Sequence, residues 1–478
     1  MCKQLKACYW RRSSDFRERA IMKICRVSRA AMAFVLFSAS AYAATVMVPI
    51  QEGTVTFMAP PASGGAPETD CVGKITTATT NQMAILAPCS RNVITANQKT
   101  APALIAMDIT DANAAVNAGL IPVSVQALGM QNVEVWTHGS MAVRLTAGAG
   151  GMFTGKLDLS KEPTGPLRAR FMAWNSSPGD NTYTVELIGE ETLFVNAGAK
   201  TPSPVPVGAA GMALAWQDQF ATLNATPCRP GTGVWPNCTA PTASDGFTYL
   251  ENIGNGSDYG DCAFEHTDGK YNPYTVQSGF LRIRATYDPN YHDPYGYNRK
   301  WYCGLLRTAF ADGSSNLPAI SYGYFEFTIL APNAAAATGA TGGTWPAVWQ
   351  TTRKNTTATG SIELDEAELY GNGPAYYQSG AGAYGAATST ATEFVYAGNP
   401  NGDLTWDWHR FGLLVTPTTV TSYFDDKPMG SQPMPQYADK SAPLWGWMIN
   451  LAMGSGWPVN APPANHYDMW IKEIRLYH

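Results

Sequence analysis

Short runs in which apolar and polar residues alternate, each cut off by Gly, Pro, Asn or Asp, set the strongest limit on what this chain folds into. Residues 133–136, 141–145, 167–173, 182–187 and 192–195 are of this kind, and a period of two is that of a half-buried strand. None is long enough for the several turns of an amphipathic helix. With 45 Gly and 33 Pro spread over 478 residues, an all-β protein is expected. A prior of roughly 150 residues per domain, relaxed for β folds, gives two domains.

Charge narrows the partners. Only 14% of residues are charged and the net charge is −5. After the N-terminal segment no Lys/Arg block is left to neutralise a phosphate backbone, so no nucleic-acid partner is expected. From Met22, the basic residues Lys23, Arg26 and Arg29 precede a small, apolar run over 30–37 and then Ala41-Tyr42-Ala43. This is the layout of a signal peptide cleaved after Ala43. Arg11, Arg12, Asp15 and Glu18 ahead of Met22 read as an upstream start. No run approaches the ~20 apolar residues that span a bilayer, so a secreted or periplasmic monomer without a membrane anchor is expected.

Of the 9 cysteines, Cys71, Cys89, Cys228, Cys238, Cys262 and Cys303 lie beyond this leader. Local spacing favours the pairs 71 with 89, 228 with 238, and 262 with 303, the alternative being buried thiols. None sits in a zinc-type cluster.

Residues 1–43 are thus the leader, and 44–197 a β-sandwich accessory domain, immunoglobulin-like or carbohydrate-binding-like. Trp136 and Trp174 there are either sugar platforms or core residues. Residues 198–211, rich in Pro and Gly, have linker composition. The domain over 212–478 carries most of the 14 Trp and 23 Tyr. Such a surplus suits a sugar cleft, because pyranose rings bury flat C–H faces on aromatic rings; a large aromatic core accounts for it equally.

The densest chemical signal is Glu363-Leu364-Asp365-Glu366-Ala367-Glu368. On a strand Glu363 and Asp365 share a face and Glu368 points away. One bulged residue between Asp365 and Glu368 returns all three to one face. Retaining glycosidases need two carboxyl groups about 5–5.5 Å apart, one to attack and one to protonate, and a third acid beside them keeps one member protonated. Taken alone the segment reads equally well as a solvated helical turn between Gly360 and Gly371. Context favours the strand: Trp345-Pro346-Ala347-Val348-Trp349 precedes it, with both tryptophans on one face and a proline that limits ladder pairing.

Together these segments resemble glycoside hydrolase family 16, which pairs a Trp-Pro-Ala-Phe-Trp strand with an E-x-D-x-x-E or E-x-D-x-E strand. Asn272-Pro273-Tyr274, Gly279-Phe280-Leu281-Arg282-Ile283, Tyr322-Gly323-Tyr324-Phe325-Glu326, Trp408-His409-Arg410-Phe411-Gly412 and Asn450-Leu451-Ala452-Met453-Gly454 follow that family's order. The resemblance covers nearly all of 212–478. It implies a concanavalin-like β-jelly-roll sandwich with a polysaccharide lying across one sheet and retention of anomeric configuration. It also implies Glu363 as nucleophile, Asp365 as its assistant and Glu368 as acid/base. Trp345, Trp349 and Trp457 become sugar platforms, and Asn272 and His409 substrate contacts or structural polar groups. The bulged form is similar to laminarinases and agarases, making β-1,3-glucan the default substrate. A galactan or bacterial exopolysaccharide, transglycosylation, or carbohydrate binding without catalysis are the rivals. Arg299, Lys300 and Arg307 would favour an acidic polymer if they line the cleft, and the insertion over 287–302 would shape one of its ends. No organic cofactor is implied. A structural calcium known in the family uses an aspartate in the last strand; Lys472 stands at that position here, so no calcium is expected.

Overall fold

The computed structural model describes residues 55–57, 73–75, 104–107, 115–127, 129–175, 186–227, 246–251, 260–310, 313–333, 342–353, 360–369, 376–385, 387, 394–397, 403–454, 459–460 and 465–478. The leader, Cys71, Cys89, Cys228, Cys238 and Trp457 lie outside them. Among the described residues the regular structure is strand, with two single turns of 3-10 helix at Ala149–Gly151 and Val207–Ala209.

Two sheets pack face to face in the first part. One runs Ala115–Asn117, Glu186–Asn196, Gly165–Trp174, Asn132–Thr137, Ser140–Arg144; the other Leu104–Met107, Leu120–Ala127, Met152–Asp158, Thr146–Ala147. Alternation does what the sequence implies: Val123, Val125 and Ala127 of one strand point inward to meet Val133, Val135, Leu157 and Phe171. Trp136 and Trp174 are 1% and 8% exposed. The first donates from Nε1 to Glu134 Oε2 at 2.9 Å, and the second lies beneath the Arg144 guanidinium. Both belong to the core and offer no platform for a sugar.

Gly165–Trp174 is buried at every position. One face carries Leu167, Ala169, Phe171 and Ala173 into the sandwich core. The other carries Arg168 and Arg170, which reach into the second sandwich, where a buried guanidinium is tolerable only if paired and hydrogen-bonded. Both arginines bond Glu190; Arg168 also donates to Ala331 O at 2.6 Å, and Arg170 to Asp403 Oδ2 at 2.6 Å with Trp406 stacked at 3.9 Å. Beside them Phe194 packs edge-on against Phe280, centroids 5.7 Å apart, and against Trp470.

The second sandwich is a jelly-roll-like pair of sheets around a core spanning Phe220 to Leu476. One sheet centres on His466–Tyr477, flanked by Phe280–Tyr287 and Leu214–Asp218 on one edge. Gly323–Leu330, Trp408–Val415, Thr419–Phe424 and Lys427–Pro433 follow on the other. The second sheet runs Tyr249–Glu251, Trp301–Arg307, Trp445–Met453, Thr344–Thr352, Ser361–Leu369, Tyr376–Tyr384, Phe394–Ala397. Trp301–Arg307 joins them, its first residues pairing with Phe280–Tyr287 and its last with Trp445–Met453. The expected disulfide between Cys262 and Cys303 ties Cys262–Phe264 to this shared strand.

The segment over 198–211 is tied to the second sandwich at several points. Arg475 donates to Ser203 O, Arg410 to Pro204 O, and Val207 N to Asp426 Oδ1, while Gly208 lies against the Tyr324 ring. Prolines remove backbone donors and preset an extended path, so the segment is laid down along the second sandwich by side chains far away in sequence.

Candidate active site

Ser361–Leu369 is a strand, and it carries a bulge between Asp365 and Glu368, the one that returns the three acids to one face. Its pairing with Tyr376–Tyr384 sets Glu363 opposite Gly382, Asp365 opposite Gly380 and Glu368 opposite Gln378, with a register shift between Asp365 and Glu368. On the other side Trp349 faces Asp365 and Ala347 faces Glu368, the shift again falling at the same place. Directly opposed residues share a face, so Glu363, Asp365 and Glu368 form one row with Trp345, Ala347 and Trp349. Ile362, Leu364, Ala367 and Leu369 turn the other way into the core.

Each glutamate has its own support. Glu368 accepts from Trp345 Nε1 at 3.1 Å and from Gln378 Nε2 at 3.2 Å. Glu363 accepts from the Tyr384 hydroxyl at 3.0 Å. Asp365 between them is 2% exposed, and Ser379 Oγ bonds its main-chain oxygen at 2.8 Å. Gly380 and Gly382 lie opposite Asp365 and Glu363, and a Cβ on Gly382 would lie 3.3 Å from the Tyr384 hydroxyl, so the missing side chain makes way for the ring that holds Glu363.

The fourth acid goes elsewhere. Glu366 is fully buried on the core side, where Gln350 Nε2 donates to its Oε1 at 2.5 Å. Gln350 Oε1 in turn accepts from Trp447 Nε1 at 3.1 Å. Burial pushes the Glu366 carboxyl well above its ordinary range, which favours its protonated form. The extra residue of the bulge is thus held by a polar chain spanning three neighbouring strands.

The tryptophans divide the work unequally. Trp349 is 7% exposed, packs on Ala347 and Met448, and donates to Asn450 Oδ1 at 2.8 Å; little of its ring is left for stacking. Trp345 is half-buried and holds Glu368. Asn450 also donates to Trp345 O, fixing the tryptophan strand from its other side. His409 lies in the opposite sheet, across from Ile329, with Nδ1 at 2.7 Å from Asp425 Oδ2 and its ring stacked on Phe424. Exposed Asn272 accepts from Tyr274 N two residues on, a local turn bond. Neither is brought to the acids, and Trp457 lies outside the described residues.

Of the basic residues, Arg299 is locked to Asp293 and Cys262 O, and Lys300 bonds Tyr291 O. These contacts fold the insertion over 287–302 onto itself and onto the strand Cys262–Phe264. Arg307 alone is in register with Met448, which faces Trp349, which faces Asp365.

No family model matches the sequence, and no curated protein matches it. Solved structures do. The chain is similar to the catalytic domain of an endo-1,3-β-glucanase (laminarinase) from Thermotoga petrophila RKU-1, at 18% identity over 56% of this chain and 98% of that one, TM-score 0.40. It is also similar to a non-specific endo-β-1,3(4)-glucanase from family GH16, at 18% identity over 58% and 94%, TM-score 0.40. The laminarinase from Flavobacterium sp. UMI-01 is a further match, at 14% identity over 56% and 100%, TM-score 0.38.

Gln378, Tyr384 and Asn450 were not foreseen as site residues. Gln378, Gly380, Gly382 and Tyr384 alternate on a strand just after the acids, a period-two signal, and Asn450 opens the segment Asn450-Leu451-Ala452-Met453-Gly454. Which acids they meet depends on the bulge.

Calcium does not fit at Lys472. Its side chain is cationic, and its main-chain oxygen already accepts from Lys200 Nζ at 2.6 Å.

Proposed function

We propose that this chain is a retaining glycoside hydrolase that cleaves within a β-linked polysaccharide, exported through its leader. The observation that carries the reading is the row of Glu363, Asp365 and Glu368 on one face, made by a single bulge and held by Trp345, Gln378 and Tyr384. Glu363 attacks the anomeric carbon as the bond to the leaving oxygen breaks, and Glu368 gives that oxygen its proton. A water then gives its proton to Glu368 while its oxygen displaces Glu363 from the anomeric carbon, so both carboxyl groups return to their starting states. Attack from one face and then the other retains configuration. The Trp345 and Gln378 N–H groups fix Glu368 in the one rotamer that both half-reactions use, and Asp365 adds negative charge between the two. No cofactor enters this chemistry.

β-1,3-Glucan is the leading substrate, on the bulged E-x-D-x-x-E strand. Arg307 in the row of Trp349 and Asp365 favours a second reading, an anionic galactan or exopolysaccharide whose acidic group it would pair. Reducing-sugar release from laminarin, lichenan, agarose, a sulfated galactan and an acidic exopolysaccharide tests both. One polymer should be cleaved, and Glu363→Gln and Glu368→Gln should each lower kcat by ~10³-fold or more on the scale of lost covalent and acid/base catalysis. Binding without cleavage in the wild type would leave a carbohydrate-binding protein instead.

A further inference from the structure

Lys200, at the start of the segment that joins the two sandwiches, sends its side chain into a cage of backbone oxygens. Its Nζ donates to Gly279 O at 2.6 Å, Lys472 O at 2.6 Å and Gln219 O at 3.0 Å, and stands 4.9 Å from the centroid of the Phe280 ring. The carbonyls come from three separate places. Gln219 follows the strand Leu214–Asp218, Gly279 sits in the turn between Tyr274–Gln277 and Phe280–Tyr287, and Lys472 lies within His466–Tyr477. Convergent carbonyls with an aromatic face beside them are what a cation seeks. An ammonium has three N–H donors, so one lysine saturates all three oxygens. Burial lowers the Lys200 pKa only to about 8, which leaves it charged at neutral pH. The turn is shaped for the purpose: Gly279 has φ 82°, and a Cβ there would lie 3.2 Å from Gln219 O and 3.4 Å from Lys200 Cδ.

We propose that the Lys200 ammonium is a tethered cation that fills a site otherwise suited to a hard metal ion, so that the second sandwich needs no calcium. Two features support the substitution. The last strand offers Lys472 where a metal would need a carboxylate, and a second positive side chain there opposes a divalent ion. The tether also adds a function that a free ion lacks, since it fixes the 198–211 segment to three separate places in the second sandwich.

The test is the melting temperature of the full chain in excess EDTA and in millimolar calcium chloride, for the wild type, Lys200→Met, and Lys200→Ala combined with Lys472→Asp. The wild type should melt at the same temperature in both and bind no calcium in equilibrium dialysis. Lys200→Met should melt several degrees lower in both. The double variant should melt higher in calcium than in EDTA. Calcium binding or calcium stabilisation of the wild type would overturn the proposal, as would an unchanged melting point in Lys200→Met. A double variant indifferent to calcium would refute the cage as a metal-type site. Even if neither variant folds, calcium binding by the wild type in dialysis would overturn the proposal.

Discussion

Glu366 is the acid that the proposed chemistry does not use, and its setting makes it the more informative for stability. The buried Glu366 carboxyl accepts from Gln350 while its Oε2 has no hydrogen-bond partner, a cost of about 1–3 kcal/mol. Its folded pKa is raised above the unfolded value. The folded state therefore holds a proton that the unfolded state releases. Glu366 contributes fully below the unfolded pKa near ~4.3, and that contribution is lost as pH rises towards the folded pKa. Glu366→Gln keeps an acceptor for Gln350 and removes the titration. It should melt close to the wild type at pH 4 and above it at pH 8; an equal offset at both would show that Glu366 is not protonated in the fold.

At the scale of the element, the bulge decides how many residues separate the acids. Glu363, Asp365 and Glu368 share a face because Glu366 is an extra residue in both ladders. Deleting Glu366 restores unbroken alternation, which again leaves Glu363, Asp365 and the shifted Glu368 on one face. The deletion variant should therefore fold and keep at least ~10-fold more polysaccharide-cleaving activity than Glu363→Gln, the direction set by strand parity. Activity as low as that of Glu363→Gln would mean that the bulge sets the acids' spacing as well as their face.

Across the whole molecule, the two sandwiches meet through buried charge and aromatic packing rather than across a loose connection. Next to the Arg168 and Arg170 pairs, His138 sits in a hairpin turn of the first sandwich, bonded to Asp407 and, at 3.0 Å, to Glu162. Bonds to these two carboxylates raise its pKa to about 10. By linkage its stabilisation is complete below the unfolded value near ~6.5 and fades as pH rises through about 10. The pair is solvent-accessible and salt screens it, so the effect is modest. His138→Ala should lower the melting temperature at pH 6, and the difference from wild type should close by pH 10.5. Scanning calorimetry of the wild type should show one transition, because separating the sandwiches strands Arg168 and Arg170.

Period-two alternation, the turn residues and the acid row were legible in the chain because they are local. Parity shows that Glu363, Asp365 and Glu368 share a face on a strand only if one residue between Asp365 and Glu368 is bulged, and the spacing of Cys262 and Cys303 pointed to their bridge. What the sequence left open is what depends on which strand lies beside which. Glu366 could be assigned no role until Gln350 was found beneath it, and Trp349 reads as a platform until Met448 and Asn450 cover it. His409 falls in the opposite sheet for the same reason, and the linker composition of 198–211 does not tell that Arg410, Arg475 and the three carbonyls around Lys200 meet it. A residue's face follows from its own strand, but its neighbours follow from long-range register, and only the tertiary structure sets that.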